Sequence, residues 1–273
     1  MEELGFSKVV NPQNYTYHEF EIKKKSGKTR KIVNPSPQLK KYQRSKIKYL
    51  NKAFFKLAGT VQSCFHGFLP HRNSVTAAHF HTGFHSTTMF DFANFFDSIT
   101  IDHLIVAGLW LDDKDKDYLL HKEGYPAQGF PSSPMLANIA IIPFMRDLRK
   151  YLRETCTRKG FALTVFADDI QISLAEEHDD KLKTIKQKVH ILAETHKLTI
   201  NPNKTRTRYA KYGSRRVLGV NVNETDIAAT RKTNRKVRAV KQQVEVGKPQ
   251  GQVLGGLRTW QKCHYPKGVD YIL

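Results

Sequence analysis

The chain has 273 residues, of which 40% are hydrophobic, so it can bury a sizeable core and is not a disordered polyelectrolyte. Lysine and arginine number 45 against 25 acidic residues, which gives a formal net charge of +20. This excess spreads over the whole length and indicates a long polyanion, a nucleic acid, as the partner.

Signals for export or membrane insertion are absent from the sequence. The three cysteines, Cys64, Cys156 and Cys263, form no C-x-x-C pattern, so neither a disulfide framework nor a zinc ribbon is predicted, and a cytoplasmic location fits. The first ten residues carry acids and lack an apolar segment, which predicts no signal peptide. No apolar run approaches membrane-spanning length, so no membrane partner is expected.

The N-terminal part contains a predicted basic hairpin. Residues 20–22 and 31–33 are short β-prone runs on either side of a basic turn that includes Gly27. Lys28 and Arg30 lie on this hairpin, where they could hold a triphosphate, and a solvated basic turn is the equal alternative. Ser36-Pro37 then predicts the start of a helix, because a capping residue followed by proline favours a first turn.

A histidine-rich, loop-rich stretch follows. Neither cysteine nor acid accompanies these side chains, so stacking or hydrogen bonding is favoured over zinc ligation. Arg72 is a further candidate contact with nucleic acid, and so are His79 and His81. The five histidines of the stretch are His66, His71, His79, His81 and His85.

The next β-prone run, residues 87–92, places Asp91 at the end of a predicted strand. Phe95 and Phe96 follow closely. We predict that Phe95 packs in the core, and that Phe96 packs under a nucleotide sugar, where its ring would exclude a 2′-hydroxyl.

An irregular loop is predicted at residues 128–134, where Gln128 and Gly129 precede two serines and two prolines. Ser133 is predicted to cap a helix with Pro134 in its first turn. The N-terminus of a helix behind a loop suits a phosphate or a base pair. Pro143 should bend this helix.

The pair Asp168-Asp169 lies between two β-prone runs of period two, residues 162–165 and 170–174, which predicts a hairpin with the acids at its tip. No Asn-Gly or Asp-Gly explains the tip as an ordinary turn. Adjacent carboxylates repel, and a cation such as Mg²⁺ removes that cost. Taken alone, such a pair is far better explained as a solvated turn, and only the rest of the sequence favours a metal site. With Asp91, it could form a cage for two Mg²⁺ ions about 3.5–4 Å apart.

The last third of the sequence is strongly basic. Residues 199–205 contain Lys204, and residues 215–222 predict a short strand pair around Gly219. A basic helix is predicted over residues 231–246. Its arginines and those of the strand pair are candidate nucleic-acid contacts: Arg215, Arg216, Arg231, Arg235 and Arg238.

The order of these features resembles that of reverse transcriptases, over about residues 23–238. Lys28-Thr29-Arg30 resembles the fingers motif that holds the incoming triphosphate, and Asp91 with Phe96 resembles the first palm motif. Residues 128–134 resemble the QGxxxSP motif that contacts the nucleotide and template. Residues 166–169 resemble the YADD box.

Two further motifs complete this resemblance. Asn201 to Thr205 resembles the motif whose lysine, here Lys204, faces the leaving pyrophosphate, and Leu218-Gly219 resembles the primer-grip turn. The resemblance implies an α+β right-hand polymerase fold with fingers, a palm with an antiparallel sheet, and a small helical thumb. The predicted bounds are residues 1–90 for the fingers and N-terminal region, 91–224 for the palm with a fingers insertion around 105–127, and 225–273 for the thumb.

The activity that this resemblance implies is RNA-directed DNA polymerisation with two Mg²⁺ ions. Asp91, Asp168 and Asp169 would bind the metals, and Lys204 would be a catalytic proton donor to pyrophosphate. The residues implied to contact the deoxynucleoside triphosphate are Lys28, Arg30, Phe96, Gln128 and Gly129, and Ser133 is added to the nucleic-acid contacts.

Within this class the chain most resembles the bacterial retron group. It is short and lacks an integrase, nuclease or long maturase domain, and residues 77–81 lie where retron enzymes carry NAxxH. That resemblance implies a structured noncoding RNA as template and primer, an RNA–DNA product (msDNA), and antiphage defence beside a separate effector protein. The alternatives are another defence-associated or group II intron-like reverse transcriptase, and an RNA-binding scaffold with vestigial chemistry. An RNA-templated RNA polymerase is disfavoured by Phe96.

Overall fold

The computed structural model describes residues 8–10, 16–23, 27, 29–157, 159–177, 179–247 and 251–262. The strands are β1 (Lys8–Val10), β2 (Thr16–Lys23), β3 (Thr29–Pro35), β4 (Ser86–Asp91), β5 (Phe161–Phe166), β6 (Asp169–Leu174), β7 (Arg206–Tyr209), β8 (Arg215–Val217), β9 (Val220–Val222) and β10 (Ile227–Ala229). The helices are α1 (Pro37–Ala58), α2 (Ser74–His79), α3 (Phe95–Ser98), α4 (Ile101–Ala107), α5 (Asp113–Leu119), α6 (Ser133–Ala140), α7 (Ile142–Thr155), α8 (Asp179–Thr195), α9 (Arg231–Glu245) and α10 (Gly251–Lys262).

Within the described residues, the strands form three antiparallel sheets. The central sheet has the order β5-β6-β4-β7, so the hairpin of β5 and β6 lies beside the strand that ends at Asp91. The predicted basic hairpin is confirmed as β2 and β3, with β1 at its edge. The strands β8, β9 and β10 form the third sheet.

Helix starts follow the sequence signals in part. The Ser36 side chain accepts a hydrogen bond from Leu39 N at 3.3 Å, and α1 begins at Pro37 as predicted. The predicted cap at Ser133 was wrong by one residue: Ser132 precedes the helix, and its side chain makes no capping hydrogen bond. The helix predicted through Pro143 is divided at Ile141 into α6 and α7, and Pro143 lies in the first turn of α7, where proline lacks the N–H that would continue the hydrogen-bond ladder.

The main core lies on one face of the central sheet. Alternate β6 residues, Ile170, Ile172 and Leu174, are buried in a cluster with apolar side chains of α6, α7 and α8. Because side chains of a strand alternate between its faces, Asp169, Gln171 and Ser173 share the opposite face. The apolar alternation therefore sets which face carries the polar groups.

Within the described ranges, no helix is long and apolar enough to cross a membrane.

Candidate active site

A two-residue turn joins β5 to β6 and carries the acidic pair. Phe166 pairs with Asp169, which leaves Ala167 and Asp168 at the tip. Ala167 has φ 54°, in the left-handed region that residues with a side chain rarely adopt. Backbone strain of this kind persists only where the surrounding structure imposes it. The tip is therefore held in place by its neighbours and not by turn-forming residues.

The third acid, Asp91, is placed beside this pair by the antiparallel pairing of β4 with β6. Asp91 is the register partner of Asp169, and the backbone N–H of Phe92 donates to the carbonyl oxygen of Asp168 at 2.9 Å. Asp91 is buried, whereas Asp168 and Asp169 are half-buried. Asp91 and the adjacent pair Asp168-Asp169, which is distant from it in the sequence, thus meet at one end of the central sheet.

The electrostatics of this cluster indicate a shortage of positive charge. Burial raises the pKa of Asp169 to about 7, with further contributions from Asp168 and Asp91. The pKa of Asp168 is also raised by burial and by the charge of Asp91. The ammonium of Lys204 contacts both carboxylate oxygens of Asp91 at 2.8 Å, and this hydrogen bonding raises the pKa of the lysine.

The donor chemistry fits divalent cations. Carboxylate oxygens are the ligands that Mg²⁺ prefers, and one lysine does not neutralise three acids. In the described part of the chain, no three acidic, histidine or cysteine side chains are placed so that together they could hold a metal ion, and the Asp91 carboxylate is paired with Lys204. The residues that would hold the metals are Asp91, Asp168 and Asp169.

The predicted nucleotide contacts lie on two connected elements. Arg30 is exposed on β3, and its charge partly offsets the rise in the pKa of Asp168, so Arg30 lies within electrostatic range of that acid. The carbonyl of Gln128 accepts a hydrogen bond from Val33 N at 2.8 Å. Gly129 has φ +118°, and an added Cβ would lie 2.1 Å from the Val33 oxygen, so the loop touches β3 closely. Lys28 lies outside the described residues.

Phe96 lies on the short helix α3, which follows β4 in the chain. Its ring is half-buried and meets Phe95 edge-on with centroids 5.4 Å apart. Phe95 is buried and stacks on Phe92 at 5.3 Å, which confirms the prediction that it belongs to the core. Phe96 thus rests on a rigid aromatic base while part of its ring stays accessible.

Residues 22–222 match the model of the family described as reverse transcriptase (RNA-dependent DNA polymerase). The chain belongs to the reverse transcriptase family. The retron Mx65 reverse transcriptase of Myxococcus xanthus is 29% identical over 82% of this chain and 55% of that protein. The retron Mx162 reverse transcriptase of the same organism is 27% identical over 90% of this chain and 56% of that protein. The predicted resemblance to retron enzymes is confirmed, and the chain spans about half the length of these relatives.

Solved structures with the same fold include two telomerases. The apo telomerase of Candida tropicalis, truncated from its C-terminal domain, has a TM-score of 0.56 at 16% identity, over 82% of this chain and 57% of that one. The Candida albicans telomerase, in complex with a TWJ fragment of telomeric RNA, has a TM-score of 0.55 at 13% identity, over 84% and 49%. The predicted right-hand polymerase fold is confirmed.

A cationic cavity of about 650 Å³ lies beside the acids of this reverse transcriptase. Asp169 lines it together with Arg216, which the sequence predicted as a nucleic-acid contact. Arg206 and Arg208 also line it and were missed, although their alternation along a short strand places both on one face. Leu218 and Gly219 complete the wall, so the turn that resembles a primer grip adjoins the acids.

The other predicted nucleic-acid contacts differ in accessibility. Arg231, Arg235 and Arg238 are exposed and line one shallow cavity of about 320 Å³ on α9. The guanidinium of Arg72 donates to the backbone oxygens of Gln62 and Phe65. The remaining two candidates differ in burial: His79 is half-buried, and Ser133 is buried.

The structure corrects the predicted contacts at His81, Arg215 and Ser133, because these side chains are at most 1% exposed. His81 binds the hydroxyls of Ser173 and Thr164 through its two ring nitrogens, at 2.8 Å each. Arg215 donates to the side chain of Thr87 and to a backbone carbonyl. Histidine and arginine here support the polar face of the central sheet.

Acid should destabilise the protein through its buried histidines. Burial lowers the pKa of His81 to about 3 and that of His66 to about 4, from an ordinary value of 6.5. Below about pH 6.5 the unfolded chain binds protons that the folded chain cannot, so the free energy of unfolding falls as pH falls. Each histidine contributes a slope approaching about 1.4 kcal/mol per pH unit.

Urea unfolding between pH 7 and pH 4 measures this effect. We expect His81→Asn to lower the slope by about 1.4 kcal/mol per pH unit between roughly pH 5.5 and 4. His71→Asn is the control, because His71 is exposed and its φ of 60° suits asparagine. Equal slopes in the wild type and both variants would show that His81 does not titrate as its burial implies.

Proposed function

We propose that this reverse transcriptase is the RNA-directed DNA polymerase of a retron. It copies part of a structured noncoding RNA into short single-stranded DNA (msDNA), in the cytoplasm and in antiphage defence beside a separate effector protein. The observation that carries the polymerase assignment is the convergence of Asp91 with Asp168 and Asp169 next to Lys204. The retron assignment rests on similarity to the two Myxococcus relatives.

The acids serve as the metal-binding centre of this proposal. Asp91, Asp168 and Asp169 would hold two Mg²⁺ ions, which when bound lower the pKa of the attacking primer hydroxyl and stabilise charge on the leaving pyrophosphate. Lys204 lies against Asp91 and is charged, so it can donate a proton to the departing pyrophosphate. The lysine therefore balances the acids at rest and serves the leaving group during the reaction.

The nucleotide would be held between the basic hairpin and the loop that contacts it. Arg30 and Lys28 pair with the triphosphate, because guanidinium and ammonium groups form charge-assisted hydrogen bonds with phosphates. Gln128 and Gly129 lie on the loop that contacts β3. The hairpin and this loop would therefore bind the sugar and the triphosphate together. Such positioning supplies much of the catalysis in phosphoryl transfer.

The nucleic acid would follow the basic surface from the acids towards the C-terminal helices. Arg216 lines the cavity beside Asp169, and Arg231, Arg235 and Arg238 lie exposed on α9. We propose residues 1–90 as fingers with the N-terminal region, 91–224 as palm with an insertion around 105–127, and 225–273 as thumb. Each phosphate that these arginines neutralise releases counterions, so binding should weaken with salt.

Primer extension on an RNA template tests the polymerase proposal. With Mg²⁺ and deoxynucleotides we expect extended product, and chelation of the metal should abolish it. A binding scaffold with vestigial chemistry would bind the template and yield no product.

Sequencing the RNA and DNA that copurify with the protein tests the retron proposal: a single short DNA joined to RNA supports it, whereas mixed or absent DNA contradicts it.

Phe96 is the proposed sugar gate, and its removal should relax sugar selectivity. We expect Phe96→Ala to raise ribonucleotide incorporation about tenfold or more relative to deoxynucleotide incorporation, because the steric block against a 2′-hydroxyl is lost. The measurement is the ratio of kcat/KM for matched nucleoside triphosphates. Phe55→Ala, an exposed phenylalanine on α1, is the control. An unchanged ratio in Phe96→Ala would remove the gate from the proposal.

A further inference from the structure

Another cationic cavity, of about 800 Å³, lies at the end of β5 that is remote from the acids. Ala162 and Leu163 of β5 form part of its wall, whereas the tip with the acids begins after Phe166. From Ala162 to Ala167 an extended strand covers about 17 Å. A molecule in this cavity would therefore lie outside the metal-binding centre.

The positive charges of this cavity are not neutralised by acids. Arg149, Arg153 and Lys159 line it, and no acidic residue lines it among those that the structure describes. None of the three cations forms an ion pair with another described residue. Arg149 and Arg153 are four residues apart on α7, so they lie on the same side of the helix. The cavity is therefore suited to a ligand that carries several negative charges.

One of these guanidinium groups is already held in position. Arg149 donates to the carbonyl oxygen of Thr60, which fixes its side chain against the cavity wall. Burial raises the pKa of the Cys64 thiol in the same wall, and the charges of Arg149 and Arg153 oppose that rise. Both arginines thus lie close to the wall, while Arg153 and Lys159 remain exposed and within reach of a ligand.

Aromatic rings line the cavity beside the cations. Phe80 is 42% exposed, and its ring meets the ring of His66 edge-on with centroids 5.1 Å apart. Phe84 and Phe161 are half-buried in the same wall. Accessible aromatic rings next to cations are typical of sites for single-stranded nucleic acid, because unpaired bases stack on the rings while the phosphates pair with the cations.

We propose that this cavity binds a single-stranded segment of the RNA, with phosphates on Arg153 and Lys159 and a base on Phe80. This inference rests on the proposed function, because the RNA is the one that the enzyme copies. A segment in the cavity is too far from the acids to be copied while it is bound there. The cavity therefore anchors the RNA, and the acids act on another part of it.

A protein segment added to the outer edge of β5 is the rival occupant. Phe65 already pairs with Val165 on that edge, so only the first part of the strand is open to another strand. The unpaired cations and the accessible ring favour RNA over such a segment.

Arg153→Gln combined with Lys159→Gln tests the phosphate contacts. The probe is a labelled single-stranded RNA of about 12 nucleotides, added to protein that is already saturated with an unlabelled primer–template duplex. Fluorescence anisotropy at several salt concentrations gives the slope of log Kd against log salt. We expect this slope to fall by about 1.4, since each phosphate contact with a single strand contributes about 0.7. Lys52→Gln combined with Lys122→Gln is the control, because it removes two exposed charges elsewhere and should leave the slope unchanged.

Phe80→Ala tests the base contact with the same probe. We expect the Kd of the RNA to rise about tenfold, the scale of one lost stacking interaction, whereas Phe55→Ala should leave it unchanged. In the wild type, 4-thiouridine in the probe should crosslink to Phe80 or Phe84, as mapped by mass spectrometry. This second measurement does not depend on how any variant folds.

Extension of a short primer–template duplex separates this inference from the proposed function. The cavity variants should extend it with the kcat/KM of the wild type, because the cavity is remote from the acids. Unchanged RNA affinity in both variants, with crosslinks elsewhere, overturns the inference alone, and a protein-binding cavity would give that result. A wild-type protein that does not extend the duplex overturns the proposed function instead.

Discussion

Asp168→Asn is expected to reduce RNA-templated DNA synthesis about a thousandfold or more while the protein remains folded. The substitution keeps the shape of the side chain and removes one of three charges that would hold the metals. A loss of roughly 4 kcal/mol of transition-state stabilisation corresponds to about a thousandfold in rate. Burial and the nearby Asp91 already disfavour the charged form of Asp168, so the melting temperature should not fall.

Single-turnover primer extension and RNA binding should be measured together on this variant. RNA affinity should stay close to that of the wild type, because the basic surface is untouched. Asp113→Asn is the control: the Asp113 side chain is 98% exposed and pairs only with Lys116 in the described structure, so extension should be normal. Full extension by Asp168→Asn would refute the metal-binding role.

Gly67→Ala should impair catalysis about a hundredfold although Gly67 carries no chemistry. A Cβ at this position would lie 2.6 Å from the backbone nitrogen of Ala167, at the tip that carries the acids. The carbonyl of Gly67 accepts a hydrogen bond from Asn138 at 2.9 Å, so the loop is anchored to α6. The tip must therefore move, and a displacement of about 1 Å at reacting groups costs on the order of a hundredfold in rate.

The readout for Gly67→Ala is kcat at saturating duplex and nucleotide, with the melting temperature measured alongside. We expect kcat to fall far more than stability, because the clash is confined to the tip. Gly256→Ala is the control, since a Cβ there meets nothing within 4 Å and alanine favours a helix. Normal kcat in Gly67→Ala would show that the loop does not position the acids.

The local elements of this fold were predictable because their signals are local. Period-two alternation placed the hairpin around Asp168 and Asp169, and the Ser36-Pro37 pair marked the start of α1. The meeting of Asp91 with the hairpin tip was expected from the order of motifs, since no short-range pattern links strands so far apart. The ladder between β4 and β6 shows that meeting directly.

What the sequence could not supply was the long-range pairing of polar groups. His81 was predicted as a nucleic-acid contact, but its partner Ser173 is 92 residues away, and that hydrogen bond makes burial of the imidazole tolerable. Arg215 is buried for the same reason, through Thr87. The contact of Gly67 with the tip depends equally on tertiary structure.

The pairing of Asp91 with Asp169 has a consequence for how activity is lost on heating. The same ladder places Ile170 and Ile172 in the core, so sliding either strand by one residue would turn the whole apolar set of that strand towards the polar side. Any shifted register of the acids therefore has a much higher free energy than the native one. The fraction of active enzyme should stay constant with rising temperature until the central sheet melts, and then fall together with the folded fraction.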